Sequence, residues 1–272
     1  MFTEADLITK LAEIGSSLRR KISAYLIGGC AMTFMGRKAA TKDIDILFRS
    51  AQEAKDFMAA AQRAGFAYIL RPTGKYDASG TSAIMEDSRG MRFDIFDRQV
   101  LRSLEFSAGM KSRAHLYRNF GNLDVYLMSP EDIFLFKGIT EREADLDDMR
   151  ILAETGLEWR AIESECLSQK RSGRWAYMLG TKLLELQAKF SISSPTTKIL
   201  LERGDIELLT YAFGNIIKEG KTTFKEISQA IKDKYRYSDS WTRKQLRLLV
   251  RNGIIGMRSE GRRYIYSMKK TD

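Results

Sequence analysis

The chain has 272 residues, 44% hydrophobic and 29% charged, which are the proportions of an ordinary globular protein long enough for one to three domains. No apolar run approaches the roughly 20 residues needed to span a bilayer, and the opening Met-Phe-Thr-Glu-Ala-Asp lacks the basic start and apolar stretch of a secretory signal. Two distant cysteines, Cys30 and Cys166, point to a reduced, cytoplasmic chain, and the single histidine, His115, excludes a histidine-rich zinc site and argues against Ser-His or Cys-His hydrolases.

The net charge of +10 is unevenly spread. From Pro195 onward 17 Lys and Arg face 9 Asp and Glu, whereas the first 194 residues hold 28 basic against 26 acidic. Such asymmetry suits a C-terminal part that meets nucleic acid, with solubility as the alternative use.

In chain order, Thr3 and Asp6 make a helix start, and Leu7, Leu11 and Ile14 continue it at helical spacing over residues 4–18. Ala24–Ile27 reads as a strand, Cys30–Gly36 as a short helix springing from Gly28-Gly29, and Asp43–Phe48 as a second strand. A helix over Ala51–Ala64 ends at Gly65, and Ala67–Leu70 reads as a strand. Arg71–Gly90 is a loop with one short strand at Ser82–Met85, and Met91–Phe96 is a further strand. Leu101–Asn119 is expected to be helical in part, with His115 as a surface or packing residue. Leu123–Met128 alternates as a strand does, and Ser129-Pro130 opens a helix that carries Lys137. Trp159–Phe190 reads as helical, with Trp175, Leu179, Leu183 and Leu186 on one face, and Ser191–Thr197 as a linker.

The chemistry concentrates between Tyr25 and Phe48. In a strand, side chains alternate, so Asp43 and Asp45 share a face while Ile44 and Ile46 take the other. Neighbouring carboxylates repel unless positive charge sits between them. A hard divalent cation such as Mg²⁺ meets that need and favours carboxylate and phosphate oxygens together. The paired glycines let backbone N–H groups approach an anion. Arg37, Lys38 and Lys42 add positive charge beside them, or are ordinary solvated loop charges.

Gly28-Gly29 followed by Asp43-Ile44-Asp45 resembles the signature of the DNA polymerase β-type nucleotidyltransferase superfamily. That resemblance implies a third carboxylate on a later strand, for which Asp94 in Met91-Arg92-Phe93-Asp94-Ile95-Phe96 is the candidate and Asp97, at the strand's end, the alternative. It implies that Asp43, Asp45 and Asp94 are catalytic, holding two Mg²⁺ or Mn²⁺ ions about 3.5–4 Å apart. An NTP would be the substrate, its phosphates meeting Gly28, Gly29, Cys30 and Lys137. More narrowly, the chain is similar to minimal microbial nucleotidyltransferases like the toxin half of AbiE-type toxin–antitoxin pairs. This match extends through Pro130–Lys137, with Arg142, Asp145 and Asp148 downstream, and covers roughly residues 20–155. Asp145 and Asp148 lie i and i+3 on a helix, placed to orient Lys137 or Arg142, or as surface acids. Many active members of the superfamily carry serine where this chain has Cys30, and a thiol is a weak donor.

Beyond the linker, Ile206–Ile217 reads as a helix stopped at Gly220, Thr223 and Glu226 form a capping box for Phe224–Lys234, and a third helix covers Ser240–Asn252. Arg243, Arg247 and Arg251 recur four apart on that helix, and a hairpin with its tip at Ser259-Glu260-Gly261 brings in Arg263. This order is that of a winged helix-turn-helix, whose third helix enters a major groove while the wing touches phosphates.

The expected fold is therefore α/β (α+β). A nucleotidyltransferase-type mixed sheet with flanking helices occupies 1–155, a helical connector 156–194 and a winged helix 195–272. The expected reaction moves an NMP from an NTP to a hydroxyl of RNA or protein, with a second copy or an antitoxin as possible partner and no membrane. The alternative is a DNA-binding regulator whose nucleotidyltransferase domain senses nucleotide or is inactive.

Overall fold

The computed structural model describes residues 2–41, 43–69, 81–100, 104–140, 142–261 and 263–269. The expectations for Lys42, Leu70, most of the 71–90 loop and the start of the 101–119 segment lie outside them. The chain divides into two compact units, residues 1–172 with 178–197 and residues 173–177 with 198–272. Among the described residues no helix is long and apolar enough to cross a membrane.

The first unit is built on a mixed sheet. Its elements run α1 (Glu4–Ser17), β1 (Ile22–Leu26), α2 (Gly28–Phe34), β2 (Asp43–Phe48), α3 (Ala51–Arg63), β3 (Ala67–Ile69), β4 (Ala83–Glu86) and β5 (Arg92–Asp97). A short antiparallel pair, β6 (Gln99–Val100) and β7 (Leu104–Glu105), precedes α4 (Ala108–Arg113), β8 (His115–Phe120) and β9 (Leu123–Leu127). Four helices follow, α5 (Pro130–Gly138), α6 (Ala144–Ala153), α7 (Trp159–Ser168) and α8 (Ser172–Phe190), whose residues 173–177 belong to the second unit. Seven strands pair in the order β3-β4-β5-β2-β1-β9-β8. The β1–β9 and β2–β5 pairs are parallel, and the other four pairs are antiparallel.

Local chemistry sets most boundaries. The Thr3 hydroxyl accepts the Asp6 N–H while the Asp6 carboxylate accepts from the Thr3 backbone, closing the capping box that starts α1. Leu7, Leu11 and Ile14 on that helix are wholly buried. On the sheet, Phe57 of α3 packs on Phe48 of β2 and Phe93 of β5, at ring centroid distances of 5.1 and 5.2 Å. One face of β2 and β5 is thus sealed by hydrophobic packing, which leaves the alternate residues on the other.

Three segments differ from the pattern-based expectation. His115–Phe120 is a strand, pairing antiparallel with β9 at the sheet's edge. Edge strands tolerate polar and charged residues on both faces, so its Arg and Asn did not reveal it. The 159–190 stretch breaks into α7 and α8 where Arg171 takes a left-handed conformation, φ 59°. The helix expected from Ile206 begins nine residues earlier, at Thr197, and runs through Gly204. A Cβ at Gly204 would come within 2.5 Å of the Tyr177 Cβ, so this glycine permits close packing and does not end the helix.

The second unit holds α9 (Thr197–Lys218), α10 (Phe224–Tyr235), α11 (Asp239–Arg251) and the antiparallel hairpin β10 (Ile255–Glu260) and β11 (Arg263–Met268). Phe213, Ile216, Ile227, Ile231, Leu246, Leu249 and Ile255 form its core. Thr223 and Glu226 cap α10 reciprocally, and Thr223 also bridges to Ile265 of the hairpin.

Gly15 offers a test of the α1 seat. A Cβ there would lie 1.9 Å from the Phe120 carbonyl oxygen, and a backbone atom cannot swing aside. Gly15→Ala should therefore cost at least about 1–3 kcal/mol despite alanine's better helix propensity. A melting temperature equal to or above wild type would show that α1 does not sit against β8.

Candidate active site

The parallel pairing of β2 with β5 sets Asp45 opposite Asp94 and Asp43 opposite Arg92. The period of two puts all four side chains on the face not covered by α3. Asp97 is opposite Phe48 and three residues beyond Asp94, so it falls on the other face, with Arg98 Nε 3.7 Å from its carboxylate. Asp43, Asp45 and Asp94 are thus brought together, and Asp97 is not.

The glycines meet these acids directly. Gly28 has φ +62°, and a Cβ on it would stand 2.2 Å from Asp45 Oδ2. Both the backbone conformation and the space require glycine here. At Gly29 the same construction meets Lys38 Nζ and Thr41 Oγ1, each at 3.6 Å. The double glycine therefore runs between a carboxylate on one side and an ammonium on the other. The Cys30 side chain is wholly buried; burial, reinforced by the Asp45 charge, holds its thiol well above the usual range. At this position only the backbone can meet a ligand.

Asp45 shows how burial and neighbouring acids bear on this face. Burial first, and then the Asp94 carboxylate, raise its pKa; Lys137 and Arg142 pull against them and Asp43 adds to them, leaving it at about 7. Asp94 is also raised, by burial, although the Arg92 guanidinium opposes that shift. Arg92 forks onto Asp94, with Nε 2.6 Å from Oδ1 and Nη2 2.7 Å from Oδ2. Among the described residues no three acidic, cysteine or histidine side chains converge closely enough to hold a metal ion as they stand. Arg92 is the residue among these acids that the motifs did not single out. Its place two residues before Asp94 on a strand was the available signal.

Lys137 is buried on α5, and its ammonium is held by Asp145 at 2.8 Å and Asp148 at 2.6 Å, both on α6. Burial works against its charge, yet the two carboxylates keep its pKa above the ordinary lysine value. Asp148 also accepts from Lys38, Nζ to Oδ1 3.1 Å. The lysine side chain is 39% exposed at Lys38 and 9% at Lys137, so Lys38 is the ammonium that an incoming anion can reach. A separate triad, the half-buried Arg113 with buried Asp132 and Glu165, both at 2.6 Å, ties α4, α5 and α7 together.

In the second unit, Arg243, Arg247 and Arg251 line one groove along α11 together with Lys244, in a cavity of about 550 Å³. Arg243 and Arg263 line another, of about 860 Å³, with Lys221, Lys225 and Tyr264. Arg243 is common to both and lies over the Phe224 ring at 4.0 Å. Tyr264 is 56% exposed, and an exposed Tyr237 stacks on Trp241 at 3.9 Å.

The Asp45 environment has a pH signature. Its folded pKa of about 7 exceeds the unfolded value of about 3.9. Between those values the folded state binds more protons, so the Asp45 contribution to stability falls as pH rises from about 4 to about 7. In chelator, Asp45→Asn should gain on wild type across that window, by a few kcal/mol at most, and the gain should level off above about pH 7. Denaturant unfolding of both proteins at several pH values checks this; a difference independent of pH would show that Asp45 ionises normally.

The glycine pair and all three carboxylates fall within the segment matched by a family model. That model, "Nucleotidyltransferase of unknown function (DUF6036)", matches residues 5–164, more than half of the chain. No curated protein matches the sequence. Among solved structures, the chain is similar to a crystal structure from H. pylori provisionally named as a nucleotidyltransferase, with 13% identity and a TM-score of 0.36 over 76% of this chain and 95% of that one. A likeness that loose places no residue. By the family match, the chain belongs to the DUF6036 family of nucleotidyltransferases.

Proposed function

We propose that the first unit transfers a nucleoside monophosphate from an NTP to an acceptor hydroxyl. The observation that carries this reading is the in-register placement of Asp45 beside Asp94, with Asp43 on the same face and Gly28 against the Asp45 carboxylate. A divalent cation, Mg²⁺ or Mn²⁺, fits the donor chemistry, because hard carboxylate oxygens share a face on which burial, and then the neighbouring Asp94 carboxylate, raise the Asp45 pKa to about 7. Asp43 and Asp45 would hold it, with Asp94 the third candidate ligand, and the chemistry supplied is charge neutralisation at the reacting phosphate.

The chain's own groups do the positioning. Gly28 and Gly29 let a phosphate come close to the backbone. Lys38, standing over Gly29 and steadied by Asp148, is the side chain placed to meet it. Lys137 acts one step back, fixing Asp148 and Asp145. Developing negative charge on a leaving pyrophosphate would be met by a preset cation, which costs little reorganisation during reaction. The narrower kinship with AbiE-type toxin components, and with it an antitoxin partner, rests on the order of the motifs alone.

The test is label transfer by the full chain from each NTP to RNA or protein, with Mg²⁺ or Mn²⁺. Asp43→Ala should abolish transfer and cation-dependent NTP binding while leaving the melting temperature within a few degrees of wild type. Equal NTP binding by both proteins, with and without the cation, would remove the reading.

A second reading is favoured by the surface of the second unit. The three-helix-and-hairpin order, read as a winged helix, carries cations along two grooves and the exposed Tyr264 ring in one of them, a combination that suits phosphates and an unstacked base. Such a surface would present an RNA acceptor, or, in a regulator, hold duplex DNA. Binding by the full chain should weaken steeply with salt, by about 0.9 log units per log unit of salt for each duplex phosphate contacted and about 0.7 for single strands. Replacing Arg243, Arg247 and Arg251 with alanine should flatten that slope for the preferred nucleic acid. An unchanged slope would place the nucleic-acid surface elsewhere.

A further inference from the structure

Arg92 is paired in register with Asp43 and sits two residues before Asp94, so strand geometry alone puts its guanidinium among the acids. It takes both oxygens of Asp94, at 2.6 and 2.7 Å, and its Nε lies 3.9 Å from Asp43 Oδ1. The Arg92 side chain is 15% exposed and that of Asp94 10% exposed, so little solvent screens the pair. A fork of this kind is among the stronger side-chain contacts.

Holding the strands together does not require it. β2 and β5 are already joined by six register pairs and by the rings packed on their other face. What the guanidinium does supply is positive charge, in the place where three carboxylates would otherwise face one another. A cation that draws on an Asp94 oxygen must compete with that fork, whereas the Asp43 side chain, 46% exposed, is engaged only at its margin.

We propose that Arg92 is the resident counter-cation of the acidic face and competes with a divalent ion for Asp94. Asp94 is then compensated without metal while the site stays folded, and full engagement of Asp94 by a cation requires Arg92 to let go. This inference rests on the reading of Asp43, Asp45 and Asp94 as cation ligands.

The experiment is a Mn²⁺ titration of the full chain without nucleotide, followed by calorimetry or Mn²⁺ paramagnetic resonance, on wild type, Arg92→Gln and Arg92→Lys. Melting temperatures are taken in chelator and in Mn²⁺. Loss of the charged fork should tighten Mn²⁺ binding by about tenfold or more in Arg92→Gln. The same variant should melt lower than wild type in chelator and recover more of its melting temperature when Mn²⁺ is added. Arg92→Lys keeps the charge but loses the bidentate geometry, so it should fall between the two; it also carries the comparison if Arg92→Gln does not fold. Equal or weaker Mn²⁺ affinity in the variants would overturn the proposal and make Arg92 a structural or ligand-orienting residue, with the cation site itself intact. If no protein in the series binds Mn²⁺, with or without NTP, and Asp43→Ala behaves as wild type, the cation-site reading fails and the inference falls with it.

Discussion

The first unit depends on the register between two parallel strands. A shift of β5 by one residue against β2 would turn Asp94 and Arg92 to the α3 side and bring Phe93 and Ile95 to the open face. The hydrophobic side prevents this. Phe57 meets Phe48 and Phe93, Phe66 meets Phe93 at 4.9 Å, and Ile44, Ile46 and Ile95 are buried with them. The position of the acids is thus a consequence of apolar packing on the opposite face. That packing offsets the unfavourable placement of like charges side by side.

Charge is handled in closed groups around this sheet. Arg92 answers Asp94, Lys137 and Lys38 answer Asp145 and Asp148, and Arg113 answers Asp132 and Glu165. Buried ions are tolerated only when paired and hydrogen-bonded, and removing one partner is far more harmful than removing both. Asp45 is the exception. Fields from Lys137 and Arg142 reach it, yet burial first and then the Asp94 carboxylate still hold it at about 7. In a family of nucleotidyltransferases, this buried carboxylate beside a second acid and a glycine pair is the feature that most directly joins structure to chemistry. Lys38 extends the same logic outward, as an ammonium fixed from behind by Asp148 and open in front.

The second unit follows a different principle. Its apolar residues are spent on a small core, and seven of its cations line grooves along α11 and between α10 and the hairpin, where Glu226 and Asp233 join them. Arg243 belongs to both grooves and packs on Phe224, so its guanidinium is partly preset by a cation–π contact. Part of the charge excess counted from Pro195 onward is thus gathered on these grooves, which charge totals cannot reveal.

Much of this was legible in the amino-acid order because it depends on short-range rules. Period-two alternation placed Asp43 with Asp45, capping residues marked the starts of α1 and α10, and the mixed α/β character followed from the succession of patterns. Edge strand β8, the break at Arg171 and the early start of α9 were not legible. The edge strand is a hairpin partner of the adjacent β9, and its own polar residues hid it. The break at Arg171 rests on one left-handed residue that no periodicity marks, and Gly204, which α9 runs through, is explained by its packing on Tyr177. The site divides in the same way. The sequence by itself determined which residues could carry charge and which face of a strand they would share. Only tertiary structure decided that Asp94 and not Asp97 stands beside Asp45, that Arg92 occupies both oxygens of Asp94, that Lys137 is enclosed while Lys38 is open, and that Cys30 turns its thiol inward. Strand pairing and burial join residues dozens of positions apart, and no local period encodes which of them will meet.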